Sequence, residues 1–145
     1  MIPRRIENTV SLSNLAGHLF GDGHISPNYW VSYTNKSEML QKEFEVGVRN
    51  VFGFKIKPRV PYHKAFIYEY PYVVGVILHL VGVPIGNKKH SRCTVPDWVM
   101  NGSQDIKVAF IRAIFDDESS VKVRNKEIIL KMAKACDMVD VLTIF

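Results

Sequence analysis

The chain has 145 residues, enough for one compact domain with a true core or two small halves sharing one, and 47% of it is apolar, which excludes a wholly disordered polypeptide. Its net charge of +5 points towards an anionic partner, and no uninterrupted apolar run reaches the roughly 20 residues needed to cross a bilayer. The start, Met1-Ile2-Pro3-Arg4-Arg5, has no apolar stretch of the secretory kind behind it, so a cytoplasmic protein with Cys93 and Cys136 as reduced thiols is expected.

In chain order, Ser11 or Ser13 is expected to cap a helix that buries Leu12, Leu15, Ala16 and Leu19 before Gly21 and Gly23 stop it. Asp22 then stands at a helix C-terminus, where the helix dipole disfavours an anion, and its carboxylate calls for a compensating cation. Taken alone, Asp22-Gly23 reads as a simple turn. A hairpin follows, with a strand from Ile25, a turn at Pro27-Asn28 and a second strand from Tyr29 to Thr34. Residues 36–52 have the spacing of an amphipathic helix with Leu40, Phe44, Val48 and Val51 on one face; Asn35 and Glu38 fit a capping box for it, and Gly53 ends it. Two further strands, about 54–60 and 65–69, and an apolar helix over 72–81 close this unit. Residues 82–101 read as a linker, with Pro84, Gly86, Pro96 and the basic cluster Lys88, Lys89, His90 and Arg92.

The residues with the most chemical content form two related runs. Leu15-Ala16-Gly17-His18-Leu19-Phe20-Gly21-Asp22-Gly23 has a degenerate echo in Ile111-Arg112-Ala113-Ile114-Phe115-Asp116-Asp117-Glu118-Ser119. Each is an apolar helical run with small residues four apart, Gly17 with Gly21 and Ala109 with Ala113, and each ends in acid. Small residues at that spacing let two helix backbones come close, so that carboxylates at the helix ends converge, and converging carboxylates suit a hard divalent cation. Aligning Phe20 with Phe115 would set Asp117 opposite Asp22. Aligning the contact residues Gly17 and Ala113 sets Glu118 there instead, and because the contact residue should determine the register we adopt Glu118.

These two runs, with Val95-Pro96-Asp97-Trp98 ahead of the second, resemble the signature of the LAGLIDADG homing endonucleases. The resemblance implies an α+β fold, an αββαββα half-domain whose antiparallel sheet forms a saddle over double-stranded DNA. Residues 1–98 would be a first repeat and 99–145 a partial second one. Glu118 follows Asp22 by 96 residues, and Cys136-Asp137-Met138-Val139 follows Ser37-Glu38-Met39-Leu40 by 99, so the repeat tracks with a small insertion. The second copy ends at Phe145, without counterparts of the first copy's later strands and helix, and self-association or another chain could complete it.

By the same resemblance, Asp22 and Glu118 would each bind Mg²⁺ and act on one DNA strand, making a site-specific double-strand break by phosphodiester hydrolysis. Asn35, its repeat counterpart Lys134, and Lys122 are candidates to hold the attacking water or steady the phosphates. Asn35 reads equally as a helix cap, and Lys122 equally as a plain phosphate contact. Asp117, bulkier than the small residue usual there, and Ser119 in place of glycine favour the alternative, a non-cleaving protein of the same fold that serves as an intron-splicing cofactor on RNA or as a DNA-binding regulator.

The basic residues are patterned. Lys55, Lys57 and Arg59 alternate with Phe54, Ile56 and Val60, and Lys122, Arg124 and Lys126 repeat the pattern against Val121 and Val123. Either set alone reads as a solvated strand face; both together suggest a sheet lying on phosphates, which positions DNA without reading it. Trp30, Ser32 and Thr34 are added as the candidate DNA surface. His18 and His79 fall on apolar helices and read as core or interface histidines, while His90 and Cys93 lack the second pair a zinc site needs. The residues of a complete intein are absent, although an excised endonuclease portion fits.

Overall fold

A computed structural model of the chain describes residues 6–7, 9–53, 55, 66–88, 94–124 and 127–132. Among these the order is α1 (Val10–Phe20), β1 (Gly23–Ile25), β2 (Val31–Asn35), α2 (Glu38–Phe52), β3 (Phe66–Tyr70), α3 (Tyr72–Leu80), α4 (Asp97–Met100), α5 (Gln104–Glu118), β4 (Ser119–Arg124) and β5 (Glu127–Met132). The architecture is α+β: β1, β2 and β3 form an antiparallel sheet in that order, and β4 pairs with β5 as an antiparallel ribbon. No helix among the described residues is long and apolar enough to cross a membrane.

Helix α1 organises the molecule. It packs against both α5 and α2, so its burial extends beyond one stripe to Leu12, Ser13 and the whole run from Leu15 to Phe20. The expected caps Ser11 and Ser13 are corrected. The N-cap is Thr9, whose hydroxyl accepts from the Leu12 N–H at 3.2 Å, and the buried Ser13 Oγ instead donates to the Ile106 carbonyl at 2.6 Å, tying α1 to α5. Gly17 allows the closest approach: a Cβ there would meet the Phe110 carbonyl and come within 2.8 Å of the Ala113 Cβ. The expected pairing of Gly17 with Ala113 is therefore what the two helices adopt.

The hairpin is displaced from expectation: β1 runs Gly23–Ile25, ending where its strand was expected to begin, and β2 starts only at Val31, so the turn is longer. Residues 26–30 turn through Tyr29, which holds a left-handed φ of 62°, uncommon for a non-glycine residue. Its carbonyl lies against Gly75 of α3, where any Cβ would collide, and its ring meets His79 at 5.9 Å. Helix α2 starts at Glu38 rather than residue 36, because Ser37, not Asn35, is its N-cap. Gly53 ends it in the left-handed conformation, φ 76°, as its sequence position suggests.

Residues 82–101 are more than a linker. Val83, Val95 and Val99 join the core formed by α1, α2, α3, α5 and the sheet, Trp98 Nε1 donates to the Val81 carbonyl at 2.7 Å, and α4 straddles residues 98 and 99. The strand expected over 54–60 falls outside the described residues apart from Lys55, which is exposed.

Candidate active site

The α1–α5 crossing carries the site. Asp22 lies just beyond the C-terminus of α1, and Glu118 is the last residue of α5. Both line one open cleft, together with Gly21, Gly23, His24, Gly86, Asn87 and Lys88. A second opening on the other side of Asp22 is bounded by Asn35, Lys36, Asp116 and Asp117. Asp22 thus forms a ridge between two hollows.

Asn35 supports it. The Asn35 amide Nδ2 donates to Asp22 Oδ2 at 2.8 Å, while its side-chain oxygen accepts from the Ser37 N–H at 2.8 Å. One end of the amide thus touches the Asp22 carboxylate and the other the approach to α2, whose cap is Ser37 rather than the expected Asn35. The amide of Gln41 donates to the Asn35 carbonyl and steadies its backbone.

Sequence reasoning missed the charge behind this ridge. Asp117 reaches across from α5 to the place where α1 carries Gly21, and a Cβ on Gly21 would stand 2.7 Å from the Asp117 Oδ2. Its side chain is fully enclosed and accepts three hydrogen bonds: from Tyr33 OH at 2.6 Å, from His18 Nδ1 at 3.0 Å and from the Asp22 N–H at 3.3 Å. A buried carboxylate is tolerated only when its oxygens are paired in this way. His18 is itself fully buried, its ring edge-on to Tyr33 and Phe44, as expected of a core histidine. Tyr33 stacks on Phe44 with ring centroids 4.3 Å apart. Burial first, then the Asp117 charge and the hydrogen bond to it, hold the Tyr33 phenol well above its usual range. The signal available in the sequence was the pairing of a bulky acid at 117 with glycine at 21.

Asp22 reaches solvent, yet its carboxyl group is partly withdrawn from it. That withdrawal is the largest cause that pushes its pKa up to about 6, followed by the charges of Asp117 and Glu118, with Lys88 and His18 opposing. Carboxylates crowded in this way, more negative than their neighbours offset, suit a hard cation bound through oxygens. Asp22 and Glu118 are the residues of the cleft that could hold one.

Tyr33→Phe is expected to cost about 1–2 kcal/mol, because it leaves Asp117 one donor short, and to lower Tm by roughly 3–6 °C. An unchanged melting temperature in calorimetry would rule out the Tyr33–Asp117 bond.

The other candidate residues fall on the sheets or beyond the described residues. Trp30, Ser32 and Thr34 alternate with Val31 and with Tyr33, both buried; Trp30 and Thr34 are exposed and Ser32 half-buried. Ser32 is flanked in register by His24 and Glu69, so this face also carries an acid. Lys122 and Arg124 take positions on β4 opposite Ile129 and Glu127. Lys57, Arg59, Lys126 and Lys134 lie outside the described residues, as do Cys93 and Cys136.

No protein family model matches the chain. It is 27% identical over 122 residues, 75% of its length, to the replication factor C small subunit of Methanocaldococcus jannaschii, of which this is 7%. It is 28% identical over 139 residues, 84% of its length, to the replicative DNA helicase DnaB of a Synechocystis species, of which this is 16%. A third relative, the isomerizing glutamine–fructose-6-phosphate aminotransferase of M. jannaschii, is 21% identical over 128 residues, 88% of this chain and 12% of that protein. The chain thus spans less than a fifth of each of these relatives.

Proposed function

We propose that the chain is a homing endonuclease of the LAGLIDADG type, cutting double-stranded DNA by metal-dependent hydrolysis. The observation that carries this reading is the tight crossing of α1 and α5 at Gly17 and Ala113, which delivers Asp22 and Glu118 to one cleft. The similarities add a second support. A clamp-loader subunit, a helicase and an aminotransferase share no activity by name, yet each contains a small stretch like this chain. A self-propagating element that lodges in unrelated host genes leaves that distribution.

In this reading Asp22 and Glu118 hold Mg²⁺, which supplies charge stabilisation to the attacking and leaving oxygens. Asn35 orients the Asp22 carboxylate through the bond to Oδ2, and Asp117 holds the Asp22 backbone from behind. The face of β2 that carries half-buried Ser32 and exposed Thr34, with exposed Trp30 just ahead of the strand, is the part of the sheet that would meet DNA. Asp117 at a position where the family carries a small residue favours a second reading, a binder of DNA or RNA on the same fold that does not cut.

The test is cleavage of a randomised duplex library in Mg²⁺ by the wild-type chain, Asp22→Asn and Glu118→Gln, with new ends sequenced. Cuts made by the wild type and lost in both variants support the nuclease. Retention of duplexes or of RNA without cuts selects the second reading.

A further inference from the structure

The residues before Lys88 form a strap over the end of α1. Gly86, at a φ of 79°, turns the strap, and its N–H bonds to the Ile25 carbonyl on β1 at 2.7 Å. That pin brings the Lys88 ammonium into a ring of backbone oxygens. Nζ donates to the carbonyls of Phe20 at 3.0 Å, Leu19 at 3.2 Å and Gly23 at 2.8 Å, and the Gly21 carbonyl accepts as well. The last carbonyls of a helix have no partner within it and carry the negative end of its dipole. Lys88 answers both needs with one charge, one residue away on either side from Asp22 in the carbonyl ring.

We infer that Lys88 is a positioning residue whose ammonium serves as a built-in monovalent cation, setting the turn that presents Asp22, and is not a side chain offered to a phosphate. An ammonium has three hydrogens, and four carbonyls surround this one. The residue therefore acts on the divalent site through the backbone of residues 19–23, in addition to the direct attraction of its charge for the Asp22 carboxylate. The inference rests on the reading of Asp22 as a metal ligand for its consequence, although the carbonyl ring stands without it. Rings of carbonyls take alkali cations by replacing their hydration shell. The separations from Nζ to the Leu19, Phe20 and Gly23 oxygens, 3.2, 3.0 and 2.8 Å, suit potassium and ammonium ions, whereas lithium is too small and tetramethylammonium too large.

The experiment uses Lys88→Ala and Lys88→Arg in the full chain, melted and titrated with Mn²⁺ by calorimetry in the chlorides of potassium, ammonium, lithium and tetramethylammonium at equal ionic strength. In tetramethylammonium, Lys88→Ala should melt below wild type and bind Mn²⁺ roughly tenfold more weakly, the scale of a supporting residue's loss. Potassium or ammonium should restore most of both, lithium should not, and wild type should be indifferent. Lys88→Arg keeps the charge but is too broad for the ring, so no salt should rescue its Mn²⁺ affinity.

Equal melting and Mn²⁺ binding of Lys88→Ala in all four salts would overturn the inference, as would its failure to fold in every one. A wild-type Mn²⁺ affinity in Lys88→Ala, combined with a salt slope of duplex binding reduced by about one, would assign Lys88 to a phosphate instead. If the wild type itself binds no Mn²⁺, the metal reading of Asp22 fails, and cation-selective melting of Lys88→Ala still decides the carbonyl ring.

Discussion

Asp22→Asn is expected to abolish metal-dependent cleavage, by more than about a hundredfold, and at the same time to stabilise the metal-free fold. The two effects share one cause. The Asp22 carboxyl is pushed up to about 6 from an ordinary 3.8, so the folded chain resists its charge more than the unfolded chain does. A carboxyl whose folded pKa is raised contributes stability that is complete below about pH 4 and is lost as pH rises through about 6. Asparagine removes that loss. The variant's advantage in a melt without divalent metal should grow between pH 4 and 6, then level off, at a size on the order of 1 kcal/mol once solvent screening of an exposed group is allowed for. Saturating Mg²⁺ should erase it by stabilising the wild type alone. The same proton competes with the metal, so wild-type Mg²⁺ affinity should fall as pH drops below about 6. Equal melting of the two proteins at pH 8 in chelator would show that Asp22 carries no such penalty.

Gly17→Ala is expected to be among the most damaging single-methyl changes at the described residues. The added carbon would meet the Phe110 carbonyl, which is backbone and cannot rotate away, and would stand 2.8 Å from the Ala113 Cβ. The helices have to part, and α1 cannot retreat because its other side is packed on α2. Overpacking at a site this closed costs about 3 kcal/mol, the upper end of its usual range, which lowers Tm by roughly 6–12 °C. Separation would also move Glu118 away from Asp22, so divalent binding should weaken more than stability does. Ala113→Gly in the same chain should recover part of the loss, since it clears one of the two obstacles and leaves the Phe110 oxygen. A melting temperature unchanged by Gly17→Ala would remove the close crossing on which the convergence of the two acids depends.

The sequence was informative where a periodic pattern met a specific stop. The apolar period of residues 12–19 with glycine at 21, the helix ended by Gly53 and the apolar run from Tyr72 all became elements close to their expected limits. The pairing of Gly17 with Ala113 was legible because small residues four apart have few other uses. Caps were not legible in the same way: Thr9, Ser11 and Ser13 are chemically equivalent candidates, and the choice was made by tertiary contact, since Ser13 was needed by the Ile106 carbonyl. Residues 82–101 were misjudged because prolines and glycines hid three valines that complete the core. Asp117 was legible only as a bulky acid set against Gly21, and Lys88 only as a member of a basic cluster. One is a charge inside a helix crossing and the other a lysine in an apparent linker, and each has its role only once α1 ends beside it.

The left-handed Tyr29 has a consequence for redesign. Because its carbonyl rests on Gly75 and its ring on His79, the hairpin tip is bolted to α3, and Trp30 leaves the tip in a direction set by that bolt. A combinatorial library aimed at a new target should therefore randomise Trp30, Ser32 and Thr34 while holding positions 29 and 75 constant. Diversity admitted at either of those two would fill the pool with clones that fail to fold before they are ever screened for what they bind.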